Sequence, residues 1–138
     1  MNKSTELLIE EALSLSEKDI KKTWEFVGKG AFKEVYRKQN IVVKLSIYKI
    51  NSHLLQEYKL YHHLKKGHRK YFAKSYAYRK VAGYGRLIQA YVPGKTRYFT
   101  ERQRKFLKNL GQIYGLIDLY EENVKFLKRR PIIIDYGI

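Results

Sequence analysis

Apolar residues recur along the chain with the spacing of a helix in some segments and of a strand in others. Residues 4–15 have helical spacing, with acidic residues on the opposite face, which predicts a short amphipathic helix. Ser14 and Ser16 are candidate caps for the segment that follows, because each has an acidic residue three positions later. We expect this acidic helix to pack on the rest of the chain; the alternative is that it contacts a partner. Its apolar face consists of Leu7, Leu8, Ala12 and Leu15.

The pattern then changes to short runs of β-branched and aromatic residues. Runs at 24–27, 34–36 and 41–45 are separated by turn-like segments, which predicts an antiparallel meander. Residues 52–66 return to helical spacing. Two further strands are predicted at 71–78 and 86–92, around a turn at Gly83-Tyr84-Gly85. We therefore expect a five-stranded antiparallel sheet with one inserted helix.

A basic amphipathic helix is predicted over residues 100–114. Its inward positions are expected to be Phe106, Leu107, Leu110 and Ile113. A short hairpin through 124–126 and a strand at 132–134 follow. Together these elements predict an α+β fold, organised as a helix over 1–20, a sheet region over 21–92 and a helical region over 93–138.

Composition limits the function classes. The chain has 138 residues, 44% of them hydrophobic, which suffices for one packed core. It has no cysteine, which excludes disulfides, thiolate metal sites and a cysteine nucleophile. Its apolar stretches are shorter than the roughly 18 residues of a membrane span. The N-terminus lacks the pattern of a signal peptide, so we expect a cytoplasmic protein.

The net charge of +16 favours anionic partners. Nucleotide phosphates, nucleic acid and acidic proteins all fit such a charge. The 13 tyrosines among 29 basic residues are compatible with nucleic-acid binding, although core packing explains them as well. Scattered solvated lysines are the alternative explanation of the charge.

The segment Gly28-Lys29-Gly30, between two predicted strands, is a candidate phosphate-binding loop. Glycines let backbone amides approach phosphates without obstruction from a Cβ, and Phe32 is placed to cover them. The alternative is an ordinary hairpin turn.

Lys44 lies inside an apolar strand and needs a partner if it is buried, because an unpaired buried charge is very costly. Glu57 can supply the partner, since helical spacing places it on the same face as Leu54 and Tyr61. The alternative is a lysine on an edge strand that faces solvent.

Two acidic positions follow near the C-terminus. Asp118 precedes Asn123 by five residues, and Asp135 ends an isoleucine run in Asp135-Tyr136-Gly137. Asp118 with Asn123 alternatively forms an acidic turn between a helix and a strand.

The order of these features resembles the protein kinase superfamily over residues 23–138: glycine loop, strand lysine, helix glutamate, Asp…Asn and Asp-aromatic-Gly. The resemblance implies a kinase-like fold with a strongly reduced helical C-lobe, binding ATP and Mg²⁺. It implies that Asp118 orients the acceptor hydroxyl and that Lys44, paired with Glu57, holds phosphates. It further implies metal ligands and cofactor contacts: Asn123 and Asp135 for the metal, and Gly28, Gly30, Phe32, Gln89 and Tyr91 for the nucleotide.

The chain departs from the family pattern at four positions: Lys33 replaces the third glycine, Leu116 and Ile117 replace the usual histidine and arginine, and Tyr136 replaces the usual phenylalanine. We expect the chain to lack an activation segment, which agrees with loss of the arginine. The acceptor is expected to be a protein or small-molecule hydroxyl.

Two other functions stay open: an inactive nucleotide-binding module, and a basic protein that binds an anionic partner. A homodimer is expected if the N-terminal helix does not cover the apolar face of the 100–114 helix.

Overall fold

The computed structural model describes residues 1–49, 53–116 and 119–136. The protein is α+β. Its four helices are α1 (Lys3–Ser14), α2 (Glu17–Thr23), α3 (His53–His63) and α4 (Glu101–Tyr114) within those residues. Its strands there are β1 (Glu25–Lys29), β2 (Lys33–Lys38), β3 (Ile41–Ser46), β4 (Ser75–Val81), β5 (Tyr84–Ala90), β6 (Val124–Leu127) and β7 (Arg130–Ile133). Short 3₁₀ segments lie at Lys66–Tyr71 and Glu121–Asn123.

The predicted five-stranded antiparallel sheet is confirmed, with strand order β1-β2-β3-β5-β4. Strands β6 and β7 form a separate two-stranded hairpin. Strand β3 is central and buried along its whole length. Because successive side chains of a strand point to opposite faces, Val43 and Leu45 face one layer while Val42 and Lys44 face the other.

The N-terminal helices cover one face of the sheet. Ser16 caps α2 by accepting a hydrogen bond from the backbone N–H of Asp19, as predicted, whereas Ser14 donates to the carbonyl of Glu10 within α1. Leu8, Ala12 and Ile20 are buried in one core cluster with Trp24 and strand residues. The expected packing of α1 on the body of the chain is therefore observed.

Arg86 links α1 to this sheet. Its guanidinium is almost completely buried and donates to the carbonyl oxygens of Ala12 at 2.8 Å and Leu15 at 2.6 Å. These contacts satisfy carbonyl groups at the end of α1, which have no partner within the helix. A buried cation thus anchors the helix end to β5.

The boundaries of two predicted strands were wrong. Residues 66–71 form a 3₁₀ turn, and β4 begins at Ser75 instead of residue 71. Phe72 packs in the core and forms an isolated bridge to Ile133 of β7, which removes it from the sheet. The β4–β5 turn is Ala82-Gly83, both with positive φ, so Tyr84 belongs to β5.

Helix α4 begins and ends at clear signals. Thr100 and Gln103 form a capping box, and Gly115 ends the helix in the left-handed conformation with φ 73°. Leu107 and Leu110 are buried as predicted, but the inward assignment of two residues was wrong: Phe106 is 38% exposed and Ile113 is 55% exposed. The buried residues of α4 are Leu107, Leu110 and Gly111, so only a narrow stripe of its surface is covered.

Helix α4 packs with α3 and the β6–β7 hairpin in a second core cluster. Helix α1 packs on the sheet instead, so it does not cover the exposed part of α4. The predicted organisation into 1–20, 21–92 and 93–138 stays a prediction, and so does the homodimer. No helix within the described ranges is long and apolar enough to cross a membrane.

Candidate functional site

A cleft opens between the inner face of the sheet and the segment that follows β7. More than half of its lining residues are apolar or glycine, and Lys33, Lys44 and Asp135 lie where the glycine-rich segment faces the C-terminal segment. Five of the predicted site residues line it: Gly28, Lys44, Gln89, Tyr91 and Asp135. An apolar pocket with a few converging polar groups is the usual form of a small-molecule site.

Lys44 and Glu57 form a buried ion pair. The Lys44 ammonium donates to Glu57 Oε2 at 2.9 Å and Oε1 at 3.1 Å, and to the Ile134 carbonyl at 2.8 Å. An ammonium has three hydrogens, so these acceptors can satisfy it completely. Burial lowers the pKa of Lys44, and the Glu57 carboxylate opposes that shift. The alternative of a solvent-facing edge lysine is therefore wrong.

Glu57 also holds the C-terminal segment. Its Oε1 accepts a hydrogen bond at 2.6 Å from the backbone N–H of Tyr136. The Glu57 carboxylate is fully buried, so water cannot replace these hydrogen-bond partners. One side chain on α3 thus joins β3, through Lys44, to the residue directly after Asp135.

Asp135 lines the cleft and is paired with the ammonium group of a lysine. Lys33, from the start of β2, donates a hydrogen bond to its Oδ1. Burial by itself raises the pKa of Asp135, but the ammonium groups of Lys44 and Lys33 outweigh burial and hold that pKa below its ordinary value. The carboxylate is therefore charged at neutral pH and suited to bind cations.

The backbone of Asn123 is hydrogen-bonded to the residue before Asp135. Its carbonyl accepts the N–H of Ile134 at 2.8 Å, just beyond the Val124–Ile133 pair of the hairpin. Within the described ranges, no group of three or more His, Asp or Glu side chains can hold a metal ion. Mg²⁺ often uses only one or two carboxylates, with phosphate and water completing its shell. The Asp135 carboxylate is compatible with that chemistry, whereas Asn123 contacts the C-terminal segment through its backbone and does not line the cleft.

The glycine-rich segment forms the rim of the cleft. Strand β1 has an irregularity between Phe26 and Gly28, and the backbone N–H of Gly30 bonds to the carbonyl of Lys33 at 2.9 Å. A Cβ at Gly28 or Gly30 would meet nothing within 4 Å, so space beside both residues is open. Phe32 is stacked on His53 of α3, with ring centroids 4.3 Å apart, and does not line the cleft.

The far end of the cleft is formed by the last residues of β5 and those after it. Gln89 is buried, and the Tyr91 ring is flanked by Arg37, whose guanidinium carbon lies 3.4 Å from the ring centroid, and by Lys125 at 4.7 Å. The Lys125 ammonium also donates to the Val92 carbonyl at 2.9 Å. Both cations therefore fix the aromatic wall at this end.

Sequence reasoning missed the role of the Tyr136 hydroxyl. It donates to the Ala73 carbonyl at 2.7 Å and lies 2.7 Å from Ser75 Oγ and 3.2 Å from Gln89 Nε2. Burial raises the pKa of Tyr136, which favours the protonated hydroxyl that donates this bond. The tyrosine at this position was visible in the sequence, but nothing there indicated the hydrogen-bond partners of its hydroxyl.

The predicted catalytic residue Asp118 lies outside the described residues, as does Gly137. Leu116, two residues before Asp118, is buried in the core with α4, and its backbone N–H bonds to the Gly111 carbonyl at 2.8 Å. No protein-family model matches this chain, and no curated protein matches it either.

Proposed function

We propose that the chain is an ATP- and Mg²⁺-dependent phosphotransferase with a protein kinase-like fold, in which the five-stranded sheet with α3 is the N-lobe and the part after β5 is a reduced C-lobe. The acceptor is a hydroxyl group of a protein, including this chain itself, or of a small molecule. The proposal rests on the resemblance in residue order together with the geometry of the cleft.

The observation that carries the proposal is the buried Lys44–Glu57 pair beside Asp135. Two apolar residues would stabilise the fold about as well as a buried ion pair does, so stability alone does not require these charges. Charged groups that are buried, paired and gathered at a cleft are typical of functional sites. The same pair fixes the backbone next to Asp135, which gives it a positioning role that a merely structural pair lacks.

In the proposed reaction, the residues divide the work by their chemistry. Lys44 would bind the phosphates, and Asp135 with Asn123 would hold the metal. The apolar side chains of the cleft would enclose the base. The γ-phosphoryl group, and neutralisation of its charge, come from ATP and Mg²⁺ when both are bound. Asp118 would orient the acceptor hydroxyl and accept its proton.

The test uses γ-labelled ATP with Mg²⁺, measuring label on the protein and free phosphate separately. The wild type is compared with Asp118→Asn and Asp135→Asn, and with Asp19→Asn as a matched control, because Asp19 is an exposed aspartate of α2. Transfer by the wild type and the control that both site variants lose supports the proposal. Equal transfer by all four proteins contradicts the assigned roles.

A second candidate is an inactive nucleotide-binding module. It is favoured by Leu116, a buried core residue where the family pattern has a histidine that supports the catalytic segment. This candidate predicts ATP binding that Asp135→Asn weakens, with no transfer in any variant.

A groove beside α4 favours a third candidate, a basic protein that binds an anionic partner. Its lining combines three arginines with two aromatic rings: Tyr71, Arg102, Gln103, Phe106, Arg129, Arg130 and Pro131. An anionic partner there would bind with a steep dependence on salt concentration. Substitution of Lys44 or Asp135 would leave that binding unchanged, which separates it from the nucleotide hypotheses.

A further inference from the structure

Lys33 and Asp135 join two parts of the chain that are 102 residues apart. Lys33 stands where the kinase pattern has a third glycine. Unlike a glycine, it has a side chain, and Lys33 lines the cleft. The ion pair is partly shielded, with side-chain exposures of 17% for Lys33 and 35% for Asp135. The contact therefore closes the charged end of the cleft.

The backbone of Lys33 is fixed while its side chain has freedom. Lys33 pairs with Ser46 in the β2–β3 ladder, and its carbonyl accepts the N–H of Gly30. A lysine stem has four rotatable carbons, so the ammonium can leave Asp135 by rotation alone. Release needs no unfolding of the glycine-rich segment.

The two ammonium groups of the site differ in this respect. Lys44 is buried and bound to Glu57 and Ile134, so it cannot move away from the cleft. The Lys33 ammonium instead donates to Asp135 at the edge of the cleft. With two carboxylates and two ammonium groups, the cluster is neutral as it stands.

We propose that Lys33 is a built-in competitor for the Asp135 carboxylate, which a divalent cation must displace in order to bind. The inference rests on the proposed function, in which Asp135 is the metal ligand. A divalent cation without phosphate is repelled by the displaced Lys33 ammonium and by Lys44, so it binds Asp135 weakly. A cation that arrives with a polyphosphate brings anionic oxygens that can accept hydrogen bonds from the displaced Lys33 ammonium and that offset the positive charge of Lys44. The site is thereby selective for the metal–polyphosphate complex over the free metal.

The test measures binding of Mn²⁺ alone, without nucleotide, from the electron paramagnetic resonance signal of the free ion. Wild type is compared with Lys33→Met, Lys33→Arg and Lys29→Met. Lys33→Arg keeps a cation on Asp135, and Lys29→Met removes an exposed lysine of the same segment. The double variant Lys33→Met/Asp135→Asn shows whether any gained binding uses Asp135.

We expect Lys33→Met to lower the half-saturating Mn²⁺ concentration about fivefold, the effect of losing a well-formed, partly exposed ion pair. Lys33→Arg and Lys29→Met should stay close to wild type, and the double variant should lose the gain. A Lys33→Met protein that binds Mn²⁺ no better than Lys29→Met overturns the inference.

This result is independent of the transfer assay. Nucleotide binding that depends on Asp135, without a Lys33 effect on Mn²⁺, leaves the proposed function intact and refutes the competition. A Lys33 effect on Mn²⁺ in a protein that binds no nucleotide supports the competition and refutes the proposed function.

Discussion

The buried Lys44–Glu57 pair gives the sharpest prediction about stability. Glu57→Leu removes the partner of a lysine that is 4% exposed, leaving its ammonium with the Ile134 carbonyl. It also removes the acceptor of the Tyr136 N–H. Lys44→Met is the reciprocal change, which leaves the carboxylate without its cation.

The expected cost follows from burial. Removing one member of a buried ion pair lowers the free energy of unfolding by about 3–5 kcal/mol. For a chain of this length that corresponds to a fall in Tm of about 10–20 °C. Replacing both members by apolar residues is often nearly neutral, so Lys44→Met/Glu57→Leu should lose less than about 2 kcal/mol. The surface pair of Lys38 with Glu11 is the matched control, and Lys38→Met should cost less than about 1 kcal/mol.

Urea unfolding followed by tryptophan fluorescence measures these differences. Trp24 is the single tryptophan and is 4% exposed, on the face of the sheet away from the pair. Two outcomes would refute the reasoning. One is a cost for Glu57→Leu no larger than that for Lys38→Met, and the other is a loss in the double variant equal to the sum of the two single losses. The double variant should still fail to bind nucleotide, which separates stability from function.

Three smaller predictions concern the surroundings of the site. Gly94→Ala should destabilise the protein by about 1–3 kcal/mol, because a Cβ there would lie 2.3 Å from the Phe126 carbonyl oxygen. A Cβ at Gly67 would meet no atom within 4 Å, so Gly67→Ala is the control without a clash, and thermal unfolding compares the two variants. Tyr136→Phe should cost about 1–3 kcal/mol in urea unfolding by leaving the buried Ala73 carbonyl without its hydroxyl donor, and no loss would contradict the hydroxyl network. The pKa of Asp135 is lowered in the folded protein, so its charged form stabilises the protein at pH values above its ordinary pKa of 3.8. The difference in free energy of unfolding between wild type and Asp135→Asn should therefore shrink as the pH falls through the lowered pKa. A difference that does not change with pH would contradict the ion pairs.

Local patterns predicted the elements well, because they depend on residues close in sequence. Strand alternation made Lys44 a candidate for the inner face of β3, and helical spacing made Glu57 a candidate partner, while the pairing itself was implied by the kinase resemblance and is observed in the structure. The cap at Ser16 and the helix end near Gly115 were encoded within a few residues. Phe106 was misassigned because helical spacing gives the direction of a side chain but not the extent of the layer that it meets.

Sequence alone thus determined the α+β class and the order of strands and helices, and it made Glu57 the candidate partner of Lys44. Only the tertiary structure decided that Lys33 contacts Asp135 and that the Tyr136 hydroxyl ends among buried polar groups. These contacts join residues 102 and 63 positions apart. No local pattern encodes such distances, because they depend on how the C-terminal segment packs against the sheet after both have formed.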